Sequence, residues 1–365
     1  MGFHEDCLVL DGHTDVPSRL WESPVDLAAP HTDRKDRHVD LPRLRAGGVD
    51  ALVFALYVPA ALDPGEGWEH VLALHRATEE ALAGLVGKMD QVATAEEIER
   101  AARRGVVGVL LGLENGRPLT VPGTLDKCVK MGVRYVTLTH MKTHEWCDAS
   151  TDAPAHKGLS GEGVRIVREM AALGIVPDVS HVSDDAVRHV LEVSPIPVVA
   201  SHSSARALCD HPRNLPDDLI QEIARKDGVV MANSYPAFLS NEASQADRKR
   251  GEELRPYLAE LAEAYAKEPR KLSAERERLF AGHPLPPVPL STFVDHIIRL
   301  VEKGGEEHTG IGTDFDGIPD TLEGFEDPSR FPDLTAALLE RGVDKAGVRL
   351  ILGENFLRVL RRAEG

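Results

Sequence analysis

Histidines and carboxylates close a series of apolar runs along this chain. His13 and Asp15 follow Leu8-Val9-Leu10, Glu114 follows Val109-Leu110-Leu111-Gly112-Leu113, and His140, His181, His202 and Asp314 close later runs. Groups of these types hold divalent cations and move protons, so the set suits a hydrolytic metal centre. On a strand, His13 and Asp15 turn to one face and can grip one ion, although an isolated His-x-Asp is more often a turn with a capping Asp. A carboxylate ending so apolar a run as that before Glu114 needs a partner or a cation to offset desolvation. Its two oxygens can bridge two ions; the plainer reading is a side chain that has reached solvent at Asn115-Gly116. His181 and His202 each end a run in Ser-His, and neutral imidazoles at one height on adjacent strands are good zinc ligands. A lone His at a strand end is more often a hydrogen-bonded core residue. The last run, Gly310-Ile-Gly-Thr-Asp-Phe-Asp-Gly317, offers two aspartates. Asp314 could take a proton from a metal-activated water and pass it to a leaving amine. Asp316 shares its face and is the rival, while an Asx turn against Gly317 also accounts for it.

Positioning these groups requires elements that share one rim. Eight Val/Ile/Leu-rich runs read as buried parallel strands: Cys7 to Asp15, Val49 to Val58, Val106 to Glu114, Val133 to His140, Val176 to His181, Pro197 to His202, Gly228 to Tyr235 and His308 to Asp314. Helical patterns over Trp68 to Val86, Gly161 to Leu173, Asp184 to Val193 and Asp217 to Arg225 separate them. The alternation predicts a (β/α)8 TIM barrel, an α/β fold that carries its chemistry at the carboxyl ends of the strands. The 365 residues read as a single domain over 1–365, with a helical insertion at about 236–290. Within it, the charge run Arg248-Lys-Arg-Gly-Glu-Glu253 reads as a solvated helix face. At the carboxyl end, Phe356, Leu357 and Leu360 stand at helical spacing and are expected to pack on the barrel.

Composition narrows the partners. Acidic residues outnumber basic ones by 59 to 42, and a formal charge of −17 repels nucleic acid and anionic membrane alike. The four cysteines are widely spaced with no CxxC pair, which predicts free thiols in a reducing compartment. The first apolar stretch already belongs to the first strand, which leaves no room for a signal peptide, and the polar end Leu360-Arg-Arg-Ala-Glu-Gly365 does not suit a lipid anchor. The expectation is a soluble, cytoplasmic protein.

Several longer motifs run through nearly the whole chain: Asp11-Gly-His-Thr-Asp15, Asp40-Leu-Pro-Arg-Leu-Arg-Ala-Gly-Gly-Val49, Gly112-Leu-Glu114, Arg134-Tyr-Val-Thr-Leu-Thr-His140, Asp178-Val-Ser-His181, Ser201-His-Ser-Ser204, Arg213-Asn-Leu-Pro-Asp217 and Gly312-Thr-Asp-Phe-Asp-Gly317. In their order and spacing the chain resembles the membrane (renal) dipeptidases and their bacterial relatives in the amidohydrolase superfamily. The resemblance implies two zinc ions per chain, with His13 and Asp15 on one, His181 and His202 on the other, Glu114 bridging them, and a shared hydroxide as nucleophile. It selects Asp314 over Asp316 as general base and acid. His140 is implied to polarise the scissile carbonyl and Arg213 to receive the substrate's free carboxylate. Phe238 stands nearest to the position where mammalian members carry a pocket tyrosine, and Asn115 after the bridging glutamate also departs from the pattern. The mammalian secretion signal, disulfides and anchor find no counterpart in these motifs, so the expectation is the soluble bacterial-type form.

The activity so implied is a metallo-dipeptidase whose substrates include L-Xaa-D-Xaa dipeptides. Similar proteins are often homodimers. Two other classes fit less of the sequence: another amidohydrolase such as a lactonase or deaminase, and a metal-binding barrel without catalysis. The carboxylated-lysine type needs Lys where this chain has His140, with Lys142 two residues on.

Overall fold

The computed structural model describes residues 2–30, 37–266 and 268–365. Nine parallel strands form one sheet: β1 (Val9–Thr14), β2 (Val49–Tyr57), β3 (Met89–Gln91), β4 (Val107–Glu114), β5 (Val133–Thr137), β6 (Val176–Asp178), β7 (Val199–Ala200), β8 (Val229–Ala232) and β9 (Thr309–Ile311). Eight of them run in the order β1-β2-β4-β5-β6-β7-β8-β9, while β3 pairs with β4 off this path. Closure comes just beyond the strands. The Asp314 amide donates to the His13 carbonyl (3.0 Å), the Asp15 amide to the Phe315 carbonyl (2.9 Å), and Thr14 bridges in parallel to Phe315. Beneath that seam the Asp11 carboxylate accepts from the Thr313 hydroxyl (2.6 Å) and amide (2.9 Å). The barrel is thus (β/α)8, as expected from the alternation of runs and amphipathic segments.

Each predicted run contains its strand, and all but the one ending at Glu114 outlast it. β6 stops at Asp178, three residues before His181, and β9 at Ile311, three before Asp314. The backbone then leaves the sheet: His181 (φ 69°) and Asp314 (φ 67°) both adopt the left-handed conformation that costs a non-glycine residue on the order of 1–3 kcal/mol. The three-residue β3 has too little apolar sequence to register as a run.

Packing explains why the strands read as continuous apolar stretches. In β4 every residue is buried, because one face meets the barrel interior and the other the helices. Leu10, Ala51, Val53, Leu110, Val176, Val199, Val229 and Met231 share one inner cluster with Phe356, Leu357 and Leu360 of the last helix, Asn355–Glu364. Full burial of such side chains contributes about 1.5–3 kcal/mol each. Sequence signals also start the outer helices. Asp63 and Glu66 form a reciprocal capping box on Pro64–Ala83, and Ser160 and Ser183 cap Gly161–Ala172 and Asp184–Val193.

The long connection from β8 to β9 holds helices Pro236–Leu239, Asn241–Ala264, Pro269–Ala281 and Leu290–Gly304. One expectation there needs correction. Within the charge run, Arg250 is buried rather than solvated, because it donates to Asp247 (2.6 Å), Asp320 (2.6 Å), the Tyr235 hydroxyl (2.9 Å) and the His283 carbonyl (3.0 Å). Among the described residues, no helix is long and apolar enough to cross a membrane.

Candidate metal centre

Seven of the predicted side chains converge at the carboxyl ends of the strands. Glu114 closes β4 and lies at the middle of the group. Its Oε1 faces the Nε2 atoms of His181 (3.1 Å) and His202 (3.5 Å), and its Oε2 faces His13 Nε2 (3.5 Å), which in turn lies 3.6 Å from Asp15 Oδ2. One oxygen therefore looks toward each pair of groups expected to share an ion. His140 Nε2 stands 3.9 Å from Oε1, and Asp314 joins His13 and Asp15 in a set whose ligand atoms lie within 4.8 Å of one another. Potential ligand triplets overlap here: His13, Glu114 and His202; Glu114, His140 and His181; His13, Asp15 and Asp314.

The hydrogen bonds beneath these groups fix which nitrogen each imidazole presents. Tyr135 Oη donates to the Gly12 carbonyl (3.1 Å), so the 2.7 Å contact to His13 Nδ1 is a bond donated by the imidazole. Ser201 Oγ donates to Asp178 Oδ2 (2.6 Å), so His202 Nδ1, 2.7 Å from the same oxygen, must donate to it. Asp178 is held by Thr137 (2.5 Å) and by the amides of Ser180 (3.0 Å) and Ser201 (2.8 Å). Both histidines thereby turn an Nε2 lone pair toward Glu114, the orientation that outer partners impose on metal-binding imidazoles.

Donor atoms crowd together at this point. His13 Nε2 is buried with no hydrogen-bond partner. His181 and His202 bring their Nε2 atoms to 2.9 Å although burial first, and then nearby cations including Arg213, hold both well below the usual histidine range. Burial opposes a proton on His13 too, yet Tyr135, Glu114 and Asp15 hold it above its ordinary value. Lone pairs and carboxylates crowded in this way fit a bound divalent cation, and nitrogen and oxygen donors of these kinds fit zinc.

Around the cluster stand the groups expected to act on substrate. Asp314 is pushed up to about 7 by burial and by the neighbouring Asp15 and Glu114 carboxylates, while His13 and a hydrogen bond donated by Asn233 Nδ2 (2.9 Å) oppose the rise. His140 is pressed down to about 3 by burial and by Arg213 and His13, so it is neutral at working pH; its Nδ1 has no partner. Arg213 is buried, donates to the His202 carbonyl (3.1 Å) and lies over the Phe238 ring at 5.4 Å. Its Nε is unpaired, no carboxylate among the described residues forms an ion pair with it, and burial lowers it to about 10. Asp316 does not join the cluster: its carboxylate accepts from the His38 amide (2.6 Å) and its own amide donates to His38 Nδ1 (2.8 Å). Asn115 turns away as well, donating to the Val58 carbonyl (2.9 Å).

Sequence reading named no role for Tyr135, Asp178, Ser201 or Asn233. Tyr135, Asp178 and Ser201 lie inside motifs quoted above, and only their contacts with His13 and His202 reveal what they do. Asn233 carried no signal, because an amide at the end of an apolar strand is otherwise unremarked.

A family model described as Membrane dipeptidase (Peptidase family M19) matches residues 2–365. Dipeptidase tcpJ of Claviceps purpurea (strain 20.1) is 31% identical over 370 residues, spanning 97% of this chain and 76% of that protein. Dipeptidase verJ of Clonostachys rogersoniana is 30% identical over 377 residues, spanning 98% of this chain and 85% of that protein. Among solved structures, the probable dipeptidase PvdM from Pseudomonas aeruginosa superposes with a TM-score of 0.82 at 24% identity, covering 99% of this chain and 96% of that one. The metallo peptidase from Rhodobacter sphaeroides, liganded with a phosphinate mimic of the dipeptide L-Ala-D-Ala, gives 0.79 at 23% identity, covering 98% and 99%. At these identities the solved structures share the fold.

Proposed function

Since the chain belongs to the membrane dipeptidase family, and so to the metal-dependent hydrolases of peptide bonds, we propose that it is a two-zinc dipeptidase whose substrates include L-Xaa-D-Xaa dipeptides. The observation that carries this reading is the division of Glu114 between two sides, Oε1 toward His181 and His202 and Oε2 toward His13 and Asp15. Those five residues would hold the ions. Bound zinc would supply an acidified water and polarisation of the substrate carbonyl.

The chain's own residues do the rest. Arg213 offers a buried guanidinium that forms no ion pair among the described residues and whose Nε is unpaired, and a substrate carboxylate would satisfy it. That requirement for a free carboxyl end fixes how many residues lie beyond the scissile bond on the carboxyl side. His140, neutral and close to Glu114, donates an N–H toward the oxygen on which charge develops as the carbonyl becomes tetrahedral. Asp314 takes a proton from the attacking water and returns it to the departing amine, a role its place beside His13 and Asp15 allows. Asn233 keeps the carboxylate aimed.

The R. sphaeroides neighbour's L-Ala-D-Ala mimic makes L,D dipeptides the first substrates to try here. Free, buried cysteines suit a reducing compartment, which we take to be the cytoplasm. A homodimer belongs to the same reading, and sedimentation tests it. The central test is metal analysis combined with a library of L,L and L,D dipeptides: about two zinc per chain and turnover of L,D substrates are expected. Asp314→Asn should abolish turnover while zinc stays bound, and an active Asp314→Asn enzyme would remove this residue from the mechanism.

A further inference from the structure

We infer that the helix Pro269–Ala281 is a strap fixed across one half of the barrel mouth and sets the length of peptide the site accepts, an inference that rests on the dipeptidase reading above. The strap is anchored at both ends to segments that carry site residues. At its carboxyl end, the Phe280 ring lies 5.0 Å from the guanidinium of Arg250, which pairs with Asp247 of its own helix, ties that helix to Asp320 beyond β9 and donates to the Tyr235 hydroxyl. The Tyr235 ring meets Phe238 edge-on at 5.0 Å, and Phe238 is the ring beneath Arg213. Along the rest of its length the strap docks on Val16–Glu22, the helix that begins directly after Asp15. Glu277 pairs with Arg19, Ser273 donates to Glu22, and Arg270 covers the Trp21 ring at 5.8 Å. Arg19 in turn donates to the Asp316 carbonyl (2.8 Å) beside the barrel seam.

The helix on which the strap docks also packs against β2, which places the strap on the β1–β2 side of the mouth. Tyr57 meets His140 edge-on at 4.8 Å. In the cyclic strand order β2 lies four strands from β7 in either direction, so it stands across the mouth from the β7 loop that bears Arg213. A peptide with its carboxylate on Arg213 and its scissile carbonyl beside Glu114 therefore points its amino end at the strap. A further residue at that end would run into the helix, whereas one at the carboxyl end would deny Arg213 its partner. Two separate devices thus measure the two ends of a dipeptide.

The test compares the zinc-loaded wild type with Ser273→Ala/Glu277→Ala and, as a second variant, Glu277→Arg, whose charge opposes Arg19. Two quantities are read: hydrogen exchange over 269–281, and kcat/KM on an L,D dipeptide and on the same dipeptide extended by one residue at either end. Exchange should quicken in the strap, and the ratio for amino-extended tripeptide over dipeptide should rise at least about tenfold, while the carboxyl-extended peptide stays uncleaved. A variant with faster strap exchange and an unchanged ratio would overturn the inference, as would equal gains at both ends or failure of either variant to quicken exchange. Absence of dipeptide turnover in the wild type would instead strike the dipeptidase reading itself, and it would be seen before any variant is made.

Discussion

Tyr135 decides which nitrogen of His13 faces Glu114. Its hydroxyl is committed as a donor to the Gly12 carbonyl and can only accept from His13 Nδ1, so the imidazole has no choice of tautomer. Removing that oxygen keeps the ring, which packs where Gly112 leaves space (a Cβ there would meet the ring at 2.6 Å). Tyr135→Phe is therefore expected to fold normally but to bind zinc about 10–100-fold more weakly, measured by competition with a chelator. Unchanged affinity would show that the His13 tautomer needs no such support. Residues of this kind mark the limit of what the sequence discloses. His13, Glu114, His181 and His202 announce themselves because charged or imidazole groups interrupt apolar runs. Tyr135 looks like one more strand-forming aromatic, and its role exists only through a contact with a residue 122 positions away.

At the scale of elements, the strands were legible because both of their faces are buried, while their ends were not. The predicted runs continue past Asp178 and Ile311, and nothing in Val179-Ser180 or Gly312-Thr313 announces that the chain leaves the sheet and turns left-handed at His181 and Asp314. That departure brings groups from different strands to one level. Gly317 shows how tightly the turn after β9 is drawn. A Cβ there would stand 2.2 Å from Asp15 Oδ2 and 2.5 Å from Asp314 Oδ1, a clash that only movement of both carboxylates relieves. Because misplacement of reacting groups by about 1 Å can cost 10²-fold, Gly317→Ala should lower kcat/KM at least about a hundredfold. Its melting temperature should change little, since Gly317 is exposed and no core contact is lost. A fully active Gly317→Ala enzyme would contradict the geometry of this turn. The insertion was visible as charge and helical pattern, but Arg250 was misread: a guanidinium amid Lys and Glu looks solvated until Asp320, 70 residues on, is placed beside it.

For the molecule as a whole, several histidines outside the cluster are built in as neutral groups. His38 Nδ1 accepts from the Asp316 amide, and His296 Nδ1 accepts from the Ala205 amide (3.1 Å) while its Nε2 serves the Leu239 carbonyl (3.0 Å). Burial presses both down to about 4, and His144 likewise. The unfolded chain takes up protons near pH 6.5 where the folded one does not, so stability is complete above that value and falls as pH drops from about 6.5 toward 4. For His38 and His296 the loss is on the order of 2 kcal/mol apiece by pH 5. The metal-free protein should accordingly melt at progressively lower temperature between pH 7 and pH 5, and a flat profile over that range would count against these assignments. The same whole-molecule view gives meaning to the seam where Asp11 meets Thr313. It joins residues 302 positions apart in the sequence, so a chain made from its amino end cannot close the ring until Thr313 has emerged. Until then β1 keeps an open edge where β9 belongs, and neighbours far apart along the chain wait on one another for their last hydrogen bonds.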